Sequence, residues 1–437
     1  MTPYEQIVAR AEQLLADKQY QQALDLYDLA LTTNPEDPHL RYCVASLYSE
    51  LYKSGIAISM LRGVVKDIPK HAQAWNNLGI AYKNSGQWEK AYEAYTKSLE
   101  LNYDAMTIVN LSGLYINNGT PEEAIKWAEK GLKLQPGSPQ LRNHRALGHL
   151  ESGRLKEGFE LYEARFNLPG WSSRDYTGPM WKGEQVDTLL IHGEQGLGDE
   201  LLFLTVFEKA RKRANRVIIE CAKRLTPLLQ ANLDAKCYST AEEIKAAGEK
   251  WDAWIPMGSL FNILGWGPGE PYLKPTKSYP KSDRFRVGVS WRGGTVQTHE
   301  HLRNFELEKW MPLFNHEAEF ISVQYGPAAG MASRMNLPHD QPAVDDFETL
   351  TAMIASCDLI ISVCNTTVHQ AAAVGTPCWV LVPSRPSWQF QLTGDKMPFW
   401  KVPKLFRQAK DEDWSNVIQR IKNELERIGI AEKRKAA

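Results

Sequence analysis

The stretch Leu189–Phe203, LLIHGEQGLGDELLF, decides how the chain is read. Three apolar residues lead into a loop holding Gly193, Gly196 and Gly198, and Asp199 stands where a helix should begin. An apolar run that turns through glycines into a helix is the joint of a βαβ unit on a parallel sheet. Such turns often cradle a phosphate. The spacing here is G-x-x-G-x-G, however, rather than the dinucleotide G-x-G-x-x-G, and no Gly-Lys-Ser/Thr follows as a P-loop requires. A tight strand-to-helix turn needs glycine whatever it binds. Asp199 in a first helical turn is likewise favoured by capping and by the helix dipole alone.

Upstream the pattern is different. Ala74–Asp104, AWNNLGIAYKNSGQWEKAYEAYTKSLELNYD, recurs on both sides at a period near 34 residues, the tetratricopeptide spacing. Pro35 and Pro69 lie 34 apart, and Pro136 and Pro169 lie 33 apart. Ala23, Ala57, Ala91 and Ala124 fall where the second helix of each unit must pack closely, and Gly86, Gly119 and Gly153 mark turns between paired helices. Trp75, Tyr82 and Tyr95 occupy core positions of the repeat, and Trp88 and Trp127 are read as packing residues. Five units fit between Pro3 and Pro169, so residues 1–170 are assigned to a superhelix. Its concave face would bind an extended partner, or the array would only scaffold.

Downstream, Asn167–Gln185 is rich in Gly, Pro and Ser and separates the array from the rest of the chain. TLLIH (Thr188–His192) and RVIIECA (Arg216–Ala222) then alternate with helical segments. After LGWGPGEPYLKPTKSYPKS comes a second series: RVGVSW (Arg286–Trp291), EFISVQYG (Glu319–Gly326), DLIISV (Asp358–Val363) and CWVLVP (Cys378–Pro383). Residues 180–282 and 283–410 are therefore expected to form two Rossmann-like parallel-sheet halves flanking a cleft at their carboxyl ends. Residues 411–437 hold an amphipathic helix, Asp413–Ile428, and a basic tail.

Composition narrows the function classes. With 51 Lys+Arg against 52 Asp+Glu the net charge is −1, which gives no general support to nucleic-acid or anionic-membrane binding. The six cysteines are scattered, with no Cys-x-x-Cys pair and no His cluster at zinc spacing, so a reducing cytoplasm is expected. The first residues are polar and helical in period, and no run of about 18 apolar residues occurs, so a soluble chain without a signal peptide is expected.

In the last third, SVCNTTVHQAAAVGTPCWVLVPS (Ser362–Ser384) ends a strand at Val363 and opens a helix with Asn365, Thr366 and Thr367, followed by His369. Small amide and hydroxyl side chains at a helix N-terminus suit an anion such as a diphosphate, although an ordinary capped helix with a packed histidine has the same residues. Ser290 and Arg292, ending VGVSWRGG, and Gln324 and Tyr325, ending ISVQYG, fall at neighbouring strand ends. Arg292 would neutralise a leaving diphosphate, and Gln324 and Tyr325 would contact a base or sugar.

Taken in order, EGFELYEARF, MWKGE, LLIHGEQGLGDELLF, IPMGSL, VGVSWRGG, ISVQYG, DLIISVCNTTVHQAAAVGTPCWVLVP, SWQF and FWKVPKLFRQ resemble the bacterial and phage tetratricopeptide-repeat glycosyltransferases. The catalytic part of that group is similar to the heptosyltransferase family with the GT-B fold. The resemblance implies an α plus α/β fold, a repeat superhelix followed by a GT-B pair of Rossmann-like domains. It implies that a nucleotide-diphosphate sugar sits on the second half at Asn365–His369. It also implies that the loop of Gly196, Gly198 and Glu200 faces the acceptor, with Asp199 as general base. Such enzymes generally do without a metal, and no cofactor is expected. Two positions depart from the family pattern: Cys364 where it often has Asp, and Gln389, in SWQF, where it often has Arg. Cys364 reads as a small apolar substitute.

The expected function is therefore metal-independent transfer of a sugar to a hydroxyl of a protein or glycan held by the array. The alternative is a non-catalytic repeat scaffold with a degenerate transferase region. A modified nucleic-acid acceptor is a further alternative, which near-neutral charge supports little.

Overall fold

The computed structural model describes residues 2–51, 53–171, 174, 176–295, 298, 300–314, 317–339 and 346–436. The chain divides into two compact units, one of Met1–His149 with Ala164–Trp171, the other of Leu150–Glu163 with Ser172–Ala437.

The first unit is built of antiparallel helix pairs. Pro3–Ala16 packs on Tyr20–Thr33, Pro38–Glu50 on Ser54–Asp67, Ala72–Asn84 on Trp88–Leu101, and Ala105–Asn117 on Pro121–Leu134; Pro139–Glu151 comes next. Starts are written in the sequence. Proline occupies the first turn of the helices at Pro3, Pro38 and Pro121, where its missing N–H costs nothing, and Thr2, Asp37 and Asp104 cap backbone N–H groups. Ala23, Ala57, Ala91 and Ala124 are fully buried, as the repeat spacing requires. One polar contact spans the same period. Asn110 Nδ2 donates to Asn76 Oδ1 at 2.9 Å across 34 residues, joining one position of successive pairs.

The second unit contains two wholly parallel sheets. The first comprises β1 (Val186–His192), β2 (Ala214–Glu220), β3 (Lys236–Tyr238) and β4 (Ala253–Pro256), in the order β3-β2-β1-β4. The second comprises β5 (Arg286–Ser290), β6 (Glu319–Ser322), β7 (Leu359–Val363), β8 (Cys378–Val382) and β9 (Pro403–Arg407), in the order β6-β5-β7-β8-β9. β5, β7 and β8 are buried along their whole length, which is why they read as unbroken apolar runs. In each sheet the winding reverses once, between β1 and β4 and between β5 and β7. The loops leaving β1, β5 and β7 are those that the sequence singled out.

The C-terminal helix, Trp414–Ala436, extends beyond the expected Ile428 and through the residues read as a tail. Its Trp414, Val417, Ile418, Ile421 and Leu425, at three- and four-residue spacing, join the core of the second sheet with Val289, Ile361 and Leu381. An aromatic cluster joins the two sheets. Phe159, Phe203, Phe261, Trp388 and Phe399 meet with ring centroids 5.2–6.4 Å apart, mostly edge to face. A strap adds backbone bonds. The N–H groups of Tyr272 and Leu273 both donate to Ala373 O at 2.9 Å, and Tyr272 OH donates to Leu201 O at 2.8 Å.

Candidate functional site

β1 delivers His192 and then the loop 193–196, which turns into the helix Leu197–Phe203. The turn closes on its own helix. Asp199, in the first turn, accepts the Gly196 N–H at 3.0 Å through Oδ2. Glu200 folds back beneath the loop and accepts the Ala222 N–H at 3.0 Å, at the end of β2. Its carboxylate explains Gly193, since a Cβ there would lie 2.6 Å from Glu200 Oε1. Gln195 takes the left-handed conformation, with φ of 66°, and donates to Tyr162 OH at 3.0 Å. Glu194 accepts the Gly258 N–H at 2.6 Å, tying the loop to the end of β4 across the winding reversal. Ser259 beside it donates to Glu163 at 2.9 Å. EGFELYEARF thus supplies Phe159, Tyr162 and Glu163 as supports of this loop.

On the second sheet the polar residues at the strand ends bond chiefly to one another. Asn365 Nδ2 donates to Ser290 Oγ at 2.9 Å and Arg292 O at 3.0 Å, while its Oδ1 accepts from Thr367 N at 2.9 Å and Ser362 Oγ at 3.0 Å. Gln324 Oε1 accepts the N–H groups of Trp291 and Arg292, both at 2.9 Å, and its Nε2 donates to Arg292 O and Tyr325 O. Ser290, Gln324, Asn365, Thr367 and His369 are all buried. They fix the loop after β5 against the start of the helix Thr366–Val374. Arg292 is exposed, and Thr366 and Tyr325 are partly so. Arg292, Asn304, Phe305, Leu307, Met331 and Arg334 border a cavity of about 350 Å³. Of the eight residues expected to face a donor, three therefore present surface, and five are buried.

The two sets of loops meet. A Cβ at Gly198 would lie 3.0 Å from His369 Cδ2 and 3.6 Å from Thr366 Cα, so the two helix starts touch where glycine leaves room. Gln389, from the short helical turn Trp388–Phe390, donates its Nε2–H to Asp199 Oδ1. His369 accepts the Trp400 Nε1–H at 3.2 Å through Nδ1, and the neighbouring Gln389 side chain slightly favours its protonated form. Gln389 appeared in the sequence only as a departure from a motif, and Trp400 only within FWKVPKLFRQ, with no role assigned.

The electrostatics follow from burial. Asp199 keeps some solvent-facing surface but lies deep among protein atoms, which pushes its pKa up to about 6. The Gly196 and Gln389 hydrogen bonds oppose that rise, and the charge of Glu194 adds to it. Glu200 is also buried and is pushed up to about 7, with Asp199 and Glu220 contributing repulsion after burial. Burial holds His369 down at about 4, so its ring is neutral at physiological pH. Cys364 is buried, donates to Leu381 O at 3.5 Å and has its thiol pushed up to about 12, as fits a packing residue rather than a nucleophile. Among the described residues no three His, Cys, Asp or Glu side chains gather as a metal-ion set. Nor is any helix there long and apolar enough to cross a membrane.

Residues 72–102 and 107–138 each match a tetratricopeptide repeat model. These matches show that residues 72–138 carry tetratricopeptide repeats, a repeat type that implies interaction with a protein partner. Protein FlbA of Caulobacter vibrioides is 25% identical over 442 residues, spanning 89% of this chain and 72% of that protein. The photosystem I assembly protein Ycf3 of Prochlorococcus marinus is 30% identical over 107 residues, 22% of this chain and 62% of its own length. Among solved structures, a thermophilic TPR protein of Thermus thermophilus aligns at a TM-score of 0.34 and 23% identity, over 38% of this chain and 91% of that one.

Proposed function

We propose that the second unit is a GT-B glycosyltransferase that moves a sugar from a nucleoside-diphosphate sugar to a hydroxyl of an acceptor recruited by the repeats. One observation carries the reading. Two parallel sheets bring the loops at their winding reversals together, with Asp199 on one side and Arg292 and Thr366 on the other sheet. Ligands of doubly wound sheets bind at such places.

The chemistry divides accordingly. Asp199 takes the proton from the acceptor hydroxyl, the freed oxygen forms a bond to the anomeric carbon, and the bond from that carbon to the diphosphate breaks. A carboxylate with a pKa near 6 is mostly ionised at neutral pH yet more basic than an ordinary aspartate, which suits a general base. The charge released on the diphosphate is met by the Arg292 guanidinium, the Thr366 hydroxyl and the N-terminal dipole of its helix. No metal is required for either part.

Asp199→Asn tests the assignment. Transfer should fall by at least about a hundredfold, as expected for loss of a general base, with nucleotide affinity unchanged. Transfer at the wild-type rate would refute the role of Asp199.

The second reading is a repeat scaffold whose transferase region has lost its activity. It is favoured by the way Ser290, Gln324, Asn365 and Thr367 spend their polar atoms on one another. A chain that binds a protein partner but no nucleotide would establish that reading.

A further inference from the structure

We propose that Gln389 is a positioning residue for Asp199, its amide turned by His369 so that a neutral N–H reaches the carboxylate from the opposite sheet. The inference rests on Asp199 being the base of the proposed transfer.

The polarity of this hydrogen-bonded chain is set from its far end. The Trp400 indole N–H can only donate, so His369 Nδ1, which receives it at 3.2 Å, is the acceptor nitrogen. A neutral imidazole then carries its proton on Nε2, at the ring edge that faces the Gly198 turn, and Gln389 is the side chain that favours the protonated ring. That N–H requires the amide oxygen of Gln389, which leaves its NH₂ for Asp199 Oδ1. Reversed, the amide would aim a carbonyl at a carboxylate and an N–H at another N–H. Gly198 contributes by letting the imidazole approach. The orientation of the amide is thus fixed without any ion pair.

The neutrality of the donor matters to a base. The titratable groups near Asp199 are Glu194 and Glu200 on its own sheet and His369 on the other, which stays uncharged. Among the described residues no cation is set directly against the carboxylate, and a hydrogen bond orients it with only a modest loss of basicity. Arginine at position 389 would orient it equally well but hold it ionised and so lower its basicity. Methionine would fill the same space without a donor.

The test tracks the Asp199 carboxyl carbon by ¹³C NMR in full-length protein labelled at aspartate Cγ, the signal being identified by its loss in Asp199→Asn. Gln389→Met should raise the proton affinity of Asp199, and Gln389→Arg should lower it, each by about tenfold for one pKa step. Thermal melts confirm that each variant is folded. A midpoint equal to wild type in both variants, or displaced in the same direction in both, would overturn the proposal. The titration needs no substrate, so a wild type without transferase activity would sink the proposed function and leave this measurement intact. Where transfer is measured, the acid limb of kcat/KM should move with the same signs. A purely structural role for Gln389 would lower the rate without moving that limb.

Discussion

Gly198 and His369 meet so closely that a single added methyl group would stand 3.0 Å from the imidazole Cδ2. One residue starts the helix after β1 and the other lies in the helix after β7, so their contact sets how near the two sheets' loops can come. Gly198→Val should force them apart, with a loss of about 1–3 kcal/mol as for other overpacked sites. Thermal unfolding should show a lower Tm, together with weaker nucleotide binding. Gly267→Ala is the control, since a Cβ there meets nothing within 4 Å. Equal Tm values for the two variants would remove this contact from the design of the site.

In the proposed transfer, the pH dependence is governed by Asp199. The base acts only when ionised, and burial places its pKa at about 6. The rate should therefore fall as pH drops through about 6, and Glu200→Gln, which removes the neighbouring buried carboxyl, should keep that limb. A pH–rate profile of kcat/KM that shows no acid limb between pH 5 and about 7 would place the base elsewhere.

Stability carries a different signature. Glu151 is buried, one of its carboxylate oxygens has no hydrogen-bond partner, and its pKa is pushed up to about 8 by burial. A carboxyl whose folded pKa lies above its unfolded value favours the fold at low pH. That contribution is lost as pH rises through the folded pKa. The wild type should thus lose stability between about pH 4.5 and 8 on account of this group. Glu151→Gln, which cannot ionise, should show a Tm advantage that grows over the same window and levels off above it. Parallel Tm curves for the two proteins would show that Glu151 is not buried as described.

Much of this architecture was legible in the sequence, and the reasons are physical. β1, β2, β5, β7 and β8 are strands buried on both faces, so they stand out as apolar runs. β3 and β4 have three and four residues and only partial burial, too little to show a period. β9 begins with Pro403 and alternates with Lys404, as an edge strand does, so no apolar run marks it. The repeats declared themselves because every pair reuses the same small and aromatic positions.

The site was legible in place but not in contact. Polar residues at strand ends mark where loops gather, yet a sequence does not say whether a side chain faces a ligand or the next loop. Asn365 and Gln324 turned inward because the N–H groups of Trp291 and Arg292 and the carbonyls of Arg292 and Tyr325 needed partners. The bond between Asp199 and Gln389 spans 190 residues, and the one from Trp400 to His369 spans 31, so neither leaves a local pattern.

The proposed nucleotide site on the second sheet is tested most directly by thermal unfolding with millimolar nucleoside diphosphates and their sugar conjugates. One base class should raise the Tm of wild type and Asp199→Asn alike, since a ligand at a hundred times its Kd adds about 2.7 kcal/mol. Arg292→Ala should lose most of that rise. Unchanged Tm values across the whole panel would contradict a nucleotide-sugar site and leave the chain a repeat scaffold.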